Sequence, residues 1–274
     1  MAKKIILLTG AAGRVGNLMR PLLRTHYHLR LCDIAPIGRL SRNEEFIRGD
    51  LADPAIARAA ASGTAGVVHL AGLVAPDVSF EDTLDPNYRA VLALLEACRH
   101  LKVKRFVFAS TAHVMGMRGL EEPDSPAEVS PDGFYGLSKA FGEAACSMYA
   151  RRFGLIALII RIGNVTPEVT DGRRERMWVS ARDLAQLIRI GLAGDNFICE
   201  TVYGVSRVNH PVFSNGNARR LGYGPRDDSS KNLKADFIPL SKIKPAKSRC
   251  YVGGSFAVNK LPNPLEKTWR SLDR

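Results

Sequence analysis

Short, wholly apolar runs alternate along the chain with longer stretches whose apolar residues recur every three or four positions. Residues 5–9 (IILLT), 29–33, 46–49, 66–70 (GVVHL), 105–110 (RFVFAS) and 155–162 (LIALIIRI) predict strands. Residues 14–25, 55–61, 87–100 and 134–153 predict helices. In the third of these, Val91, Leu94, Leu95 and Cys98 fall on one face. Strands that are apolar along their whole length are covered on both faces, and helices between them make the sheet parallel. Right-handed crossovers then give a Rossmann-type, doubly wound α/β fold with helices on both faces. The alternation ends near Arg161. Beyond it, Ser180 opens one more helix, with Asp183 placed to complete a capping box. A strand at 201–205, a short helix around 215–221 and an irregular tail follow. The pattern divides the chain into a Rossmann domain, residues 1–165, and a small C-terminal lobe with its tail, residues 166–274, packed on the first as one unit.

The first strand runs into Thr9-Gly10-Ala11-Ala12-Gly13-Arg14-Val15-Gly16, and a helix follows. Glycines at this spacing let the chain turn tightly, bring backbone N–H groups against a pyrophosphate, and pack helix close to strand. The helix N-terminus adds about half a positive charge facing the phosphates. The strand before the glycines and the helix after them are the context that makes the pattern specific for a dinucleotide. Asp33 ends the second strand, where a carboxylate accepts hydrogen bonds from the adenosine ribose and repels a 2′-phosphate. The expected cofactor is therefore NAD rather than NADP; Arg30 and Arg39 are nearby, but neither directly follows Asp33. Ile34, Asp50 and Leu51 are expected around the adenosine. Leu70, Ala71 and Gly72 should pass under the nicotinamide ribose. Asn87 and Ile162 complete the expected cofactor set, together with Arg14 and Val15 of the loop and Tyr135 and Lys139.

Tyr135 and Lys139 stand four residues apart and share one helical face. A tyrosine with a reference pKa near 10 is a poor base at neutral pH. An adjacent ammonium and an oxidised nicotinamide favour the phenolate, which can take a hydroxyl proton while hydride leaves the same carbon. Ser110 and Thr111 end the fifth strand, and a hydroxyl there would reach the same oxygen; strand alternation leaves open which of the two points inward. His113 reads either as a contact to a sugar hydroxyl or as a loop histidine satisfied by backbone.

Length and composition fit a folded, enzyme-like unit: 274 residues, 46% of them hydrophobic. The net charge of +12 is concentrated late in the chain, at Lys231, Lys234, Lys242, Lys244, Lys247, Arg249, Lys260, Lys267 and Arg270. It reads as a solvated surface or as attraction to anions. No zinc-finger, helix-turn-helix or RNA-binding signature accompanies it, so no nucleic-acid partner is expected. Cys32, Cys98, Cys146, Cys199 and Cys250 form no CxxC pair, which argues against a disulfide framework or a metal site. No apolar run approaches membrane-spanning length, and the first is too short for a signal sequence, so a cytoplasmic protein is expected.

Together, TGxxGxxG, the aspartate after strand two, the hydroxyl residues after strand five and YxxxK resemble the extended short-chain dehydrogenases, the NAD-dependent epimerase/dehydratase group. The resemblance covers residues 3 to about 225. Within that group the chain looks most like the bacterial uronate dehydrogenases, through GAAGRVG (10–16), GDLAD (49–53), FASTAHVMG (108–116), PDGFYGLSKAFGE (131–143), RIGNVTPE (161–168), Trp178-Val179-Ser180 and YVGGSF (251–256). The likeness implies an NAD-dependent oxidation of a uronate or related small carbohydrate to an aldarolactone. It implies Tyr135 as base, Lys139 as its partner, Thr111 in place of a catalytic serine, and His113 as a substrate contact. Arg173 falls where the family has a carboxylate-clamping arginine, and the alternative is a solvated member of the basic run Arg173-Arg174-Arg176. The sequence departs from that pattern at three substrate positions: Val74 or Ala75 for a serine, Ala112 for an asparagine and Asn164 for a serine. Asn164-Val165 resembles nucleotide-sugar epimerases instead. A nucleotide-sugar epimerase or dehydratase is therefore the second reading, although the region after residue 170 is short for a nucleotide lobe. A dinucleotide-binding regulator without turnover is the third. Assembly as a homo-oligomer through helices 87–100 and 134–153 is expected.

Overall fold

The structure is a computed structural model and describes residues 3–122 and 128–262. Lys267 and Arg270 of the basic tail lie outside the described residues. The first half of the chain follows the predicted alternation: β1 (Ile5–Thr9), α1 (Arg14–Leu23), β2 (His28–Asp33), β3 (Glu44–Arg48), α2 (Pro54–Ala61) and β4 (Gly66–His69). The helix expected from residue 87 begins earlier. A capped turn, α3 (Phe80–Thr83), runs through a π-helical segment (Leu84–Arg89) into α4 (Ala90–Leu101). Its start signal is Ser79-x-x-Asp82, a complete capping box. Then come β5 (Arg105–Thr111), α5 (Phe134–Phe153) and β6 (Ile156–Ile162).

Seven parallel strands form one sheet in the order β10-β6-β5-β4-β1-β2-β3, so the chain reverses direction across the sheet between β1 and β4. The seventh strand, β10, comes from beyond residue 165. Strand residues alternate between two cores, as a sheet covered on both faces requires. Ile6, Leu8, Leu29, Leu31, Val107 and Leu158 pack with α1 and with α7 (Ala181–Ala193), introduced below. Leu7, Cys32, Val67, Phe106, Phe108 and Ile159 pack with α2, α4 and α5.

After β6 the chain builds a small layer above the C-terminal strand ends. It comprises β7 (Asn164–Val165), β8 (Val169–Asp171), α6 (Gly172–Glu175), β9 (Trp178–Val179), α8 (Gly216–Arg220) and β11 (Leu233–Ile238), while α7 and β10 (Cys199–Gly204) return to the main sheet. β7 pairs with β9 and β11 with β8, both parallel. The tail is thus less irregular than expected: β11 is a strand whose residues are mostly exposed, so it carries no apolar periodicity to betray it. The capping box expected at Ser180 is half formed. Ser180 Oγ accepts from Asp183 N, but the Asp183 carboxylate turns away to accept from Ser206 Oγ and from the backbone N–H groups of Arg226 and Asp227. A buried carboxylate gains more from three donors that tie down a loop than from one at its own helix end.

The helix that carries the expected catalytic pair lies very close to β5. A Cβ added at Gly142 would stand 2.3 Å from the Phe108 ring. Alanine in place of a mid-helix glycine ordinarily stabilises by roughly 0.5–1 kcal/mol, but overpacking a core costs roughly 1–3 kcal/mol. Gly142→Ala should therefore lower the melting temperature by a few degrees in a thermal scan. An unchanged or raised melting temperature would show that the β5–α5 contact is looser than described.

Candidate active site

At the C-terminal end of the sheet, a cleft of about 890 Å³ runs from the glycine loop, past the ends of β4, β5 and β6, to the small layer. This is the crevice where open α/β sheets bind ligands. Gly10, Gly13, Arg14, Val15 and Gly16 line one end. Gly10 has φ +64°, and a Cβ there would meet the Ala71 backbone N at 2.7 Å. A Cβ on Gly16 would stand 2.3 Å from Gly10 O. Only hydrogen fits at either position, so α1 starts directly against the turn. Its cap residue, Gly13, supplies no side-chain acceptor to the helix N-terminus. Free N–H groups at a helix N-terminus, facing a cleft that side chains do not fill, match a pyrophosphate.

Asp33 ends β2 beside this loop. Its Oδ2 accepts from Ala12 N at 2.9 Å and its Oδ1 from Ala35 N at 2.9 Å. Each oxygen keeps a second lone pair for a ribose hydroxyl. Asp33, Ile34, Asp50 and Leu51 lie outside the cleft lining proper. Ile34 is exposed, Asp50 Oδ1 accepts from Ala52 N in a tight turn, and Leu51 is buried in the core. Leu70 and Gly72 line the cleft, whereas Ala71 packs behind them.

Asn87 is brought to this neighbourhood indirectly. It is buried in the π-helical segment, where its side chain accepts from Leu73 N (2.7 Å) and donates to Leu73 O (3.0 Å) and Ser138 Oγ (2.8 Å). It thus staples the loop after β4 to α5. A Cβ at Gly72 would come 3.1 Å from Asn87 Oδ1 and 3.2 Å from Lys139 Nζ. The chain can pass there only as glycine.

Thr111, Tyr135 and Lys139 all line the cleft. The two hydroxyls left open by the sequence are separated by strand alternation. Ser110 donates to the buried carboxylate of Glu143, which is paired with Arg161. Thr111 faces the other way and hydrogen-bonds the Tyr135 phenol. Burial pushes the Tyr135 phenol up to about 12; the Thr111 bond and the charge of Arg14 pull it down, and Asp132 pushes it further up. Burial lowers the Lys139 ammonium to about 8, and its Nζ lies 5.0 Å from the Phe108 ring centre. Without a bound dinucleotide, the tyrosine is therefore a stored proton rather than a preformed base.

The far end of the cleft gathers His113, Ile162, Asn164, Arg173 and Val74. His113 Nδ1 lies 2.6 Å from Asp132 Oδ2, and its ring stands 4.1 Å from Phe256 and 5.7 Å from Tyr135, centre to centre. Asn164 Nδ2 donates to Thr166 Oγ1 at 3.0 Å. Val74 is exposed. Arg173 does not sit in a solvated basic run. Nor do its neighbours: Arg174 pairs with Asp171, and the largely buried Arg176 with Glu121. Arg173 donates to Val252 O and lies in a part-buried position where burial, then the like charge of Arg174, lowers its pKa to about 10.

Sequence reasoning missed two contributors. Asp132 precedes α5 in the PDG run, and residues 252–256 come back from the far C-terminal side to line the cleft with Val252, Gly253, Ser255 and Phe256. The first had a local signal, a carboxylate in the loop just before the Tyr-containing helix. The second had a signal in the YVGGSF run (251–256), whose Gly254, with a φ of +64°, lets the chain lie on the Arg173 guanidinium.

The cleft can be set beside known proteins. The chain is 38% identical over 256 residues to a uronate dehydrogenase of Pseudomonas putida, covering 92% of this chain and 95% of that one. The fold matches a glucuronic acid dehydrogenase from Chromohalobacter salexigens with a TM-score of 0.87 at 32% identity, covering 96% and 99% of the two chains. It matches a uronate dehydrogenase variant from Agrobacterium tumefaciens, solved in complex with NAD, with a TM-score of 0.87 at 32% identity, covering 96% and 100%. The family model that matches spans residues 6–176, from β1 past α6, and so takes in the glycine loop, Thr111, Tyr135 and Lys139. By that match and these relatives, the chain belongs to the NAD dependent epimerase/dehydratase family.

Proposed function

We propose that this protein is an NAD-dependent dehydrogenase that oxidises a uronate, or a closely related small sugar acid, at a carbon bearing a hydroxyl. The observation that carries this reading is Arg173: a part-buried guanidinium with no carboxylate partner among the described residues, in the same cleft as Thr111, Tyr135 and Lys139. A planar fork of donors in a desolvated position is suited to a carboxylate. The similarity to dehydrogenases named for uronate and glucuronic acid supports it.

In this reading Gly10, Gly13, Arg14, Val15 and Gly16 cradle the pyrophosphate, and the Asp33 carboxylate holds the adenosine ribose and disfavours a 2′-phosphate. Arg173 fixes the substrate carboxylate. His113 and Asn164 contact sugar hydroxyls, and Val74 forms an apolar wall. Thr111 holds the reacting hydroxyl against Tyr135. Tyr135 takes the hydroxyl proton as the carbonyl forms, which is a lactone carbonyl when the carbon is anomeric. Lys139, beside it on the same helix, favours the phenolate. When bound, the oxidised nicotinamide adds a positive charge beside the phenol and accepts the hydride. A nucleotide-sugar epimerase would need space for a nucleotide in a cleft whose far end is already lined by Arg173 and residues 252–256. The close set of Thr111, Tyr135 and Lys139 supports turnover rather than a regulator. Five free cysteines support a reducing compartment, the cytoplasm. Among the described residues no helix is long and apolar enough to cross a membrane. Assembly as a homo-oligomer through α4 and α5 has support in exposed Leu137, Met148 and Phe153 on α5.

The reading is tested by following NADH release with galacturonate, glucuronate and the matching neutral aldoses. Turnover of the uronates and little with the aldoses is expected, and no turnover with any uronate refutes it. Tyr135→Phe should lower kcat about 10²–10⁴-fold, the usual range for a lost general base. Arg173→Gln should raise KM for the uronate far more than for NAD; an equal effect on both would remove the clamp assignment.

Gly16→Ala should weaken NAD binding at least about 10-fold in calorimetry, because the new methyl must displace the Gly10 carbonyl that shapes the turn. Retained affinity would mean that the loop holds no pyrophosphate.

The base must lose its proton before it can act, and the phenol sits at about 12 in the protein alone. The rate of uronate oxidation should therefore rise with pH through the neutral and alkaline range. Lys139→Ala removes a cation beside the phenolate, so the rising limb should move to higher pH. A limb that stays in place would separate Lys139 from the proton transfer.

A further inference from the structure

Asp132 is a carboxylate with no helix or salt bridge to arginine or lysine to explain it among the described residues. Its side chain is fully buried, with 0% exposure, although it sits in the loop before α5 rather than in the core. Three separate segments yield to it. A Cβ on Gly116 or on Gly253 would stand 1.9 Å from Asp132 Oδ2, and one on Gly136 would stand 3.2 Å from Oδ1. The turn after β5, the first turn of α5 and the C-terminal strap thus each present a glycine where they meet this one side chain. Its oxygens do not cap α5, which has no side-chain cap. Oδ1 has no hydrogen-bond partner among the described residues. Oδ2 has one strong partner, His113 Nδ1 at 2.6 Å. Burying a carboxylate with one oxygen unsatisfied is costly. A purely structural residue at this place would do better as an apolar side chain.

An ionised carboxylate can only accept, so the hydrogen at this contact sits on His113 Nδ1. In the neutral imidazole Nε2 is then bare and can only accept. The imidazole belongs to the cleft lining and packs against the Tyr135 and Phe256 rings, which also contact each other. Its backbone N–H is bonded to Thr111 Oγ1 at 3.3 Å, so the same short turn sets both the threonine and the imidazole.

We propose that Asp132 is a positioning residue that fixes His113 in its Nδ1–H form, so that Nε2 meets the substrate as a hydrogen-bond acceptor and selects a sugar hydroxyl rather than a second acid oxygen. The inference rests on the dehydrogenase reading for the identity of the ligand, and on geometry alone for the state of the imidazole. It also divides the labour at the far end of the cleft. Arg173 takes the carboxylate as a donor, and His113 takes a hydroxyl as an acceptor. A substrate carrying anionic oxygen at the hydroxyl position meets a bare lone pair and a buried carboxylate behind it.

Long-range proton–nitrogen NMR of the histidines reports the imidazole state without any turnover. In the native protein His113 is expected in the Nδ1–H form, and an Nε2–H form overturns the proposal. Asp132→Asn removes the charge and should abolish the fixed preference. In kinetics, Asp132→Asn should raise KM for the sugar acid about 10-fold, the scale of a lost charge-assisted hydrogen bond, with KM for NAD changed less than about twofold. The effect must pass through His113. In a His113→Gln background the same change should add less than about twofold to KM, whereas full, independent effects in the double variant overturn the proposal. If Asp132→Asn does not fold, Gly253→Ala reaches the same carboxylate from the strap and should reproduce both the lost imidazole preference and the raised KM. Were no sugar acid turned over by the native enzyme, the dehydrogenase reading would fail while the NMR result still decided the role of Asp132.

Discussion

The cleft depends on how closely α5 approaches the end of β5. Two helix glycines set that distance. Gly136 lies against the His113 carbonyl, which a Cβ would approach to 2.4 Å, and Gly142 lies against the Phe108 ring. With the helix this near, residues on its inner face reach the strand end. Tyr135 meets Thr111, and Lys139 passes over Phe108 to the underside of Gly72. The next turn, Glu143, takes the hydroxyl of Ser110 and the guanidinium of Arg161. One packing contact thus assigns the two neighbouring hydroxyls of β5 to different work. Ser110 closes a buried ion-pair network beneath the site, and Thr111 is left for the cleft. The same closeness explains the burial that drives the Tyr135 phenol up and the Lys139 ammonium down.

Much of this was legible in the sequence because it is written in local terms. The residues of α5 were read at both ends, Phe134 and Phe153, since Gly133 and Gly154 flank an unbroken helical run and Gly154 adopts the left-handed conformation that stops it. The strand–glycine–helix order of residues 5–23 needed no tertiary information. Features set by distant contacts were not legible. Whether Ser110 or Thr111 faces the cleft is decided by Glu143, 33 residues on. Residues 252–256 join the site through a bond from Arg173, 79 residues away, and no periodicity announces it. The Ser180–Asp183 box is only half formed for a related reason: Ser180 caps the helix, but the Asp183 carboxylate is taken by a loop from residues 206–227. Local signals state what a segment can do, and long-range donors decide what it does.

The distribution of charge follows the same logic. The protein is strongly basic, yet most of the arginines near the site are neutralised by a neighbour: Arg161 by Glu143, Arg174 by Asp171, Arg176 by Glu121. Arg173 differs, resting only on a backbone carbonyl and a methionine sulfur among the described residues. Its burial, with the like charge of Arg174, raises the energy of the empty site and lowers its pKa, and Asp171 and Asp132 offset this only in part. That energy is recovered by a ligand that brings the missing negative charge, and not by one of the same shape without it. In the proposed reading, the discrimination between an acid and a neutral sugar is thereby built into the unliganded protein.

The remaining wall is where this chain departs from the uronate dehydrogenase pattern. Val74, followed by Ala75 and Pro76, lines the cleft with apolar groups, and Ala112 is buried beside Thr111. Asn164 is partly occupied by its own neighbour, Thr166. In the proposed reading, polar recognition is thereby concentrated on two side chains, Arg173 and His113, which a single element unites: the strap of residues 252–256 takes the Arg173 bond on Val252, lays Gly253 against Asp132 and sets the Phe256 ring against His113. When fewer groups read the substrate, each must be held more firmly. The glycine-lined burial of Asp132 and the left-handed Gly254 against Arg173 are the means by which this chain holds them.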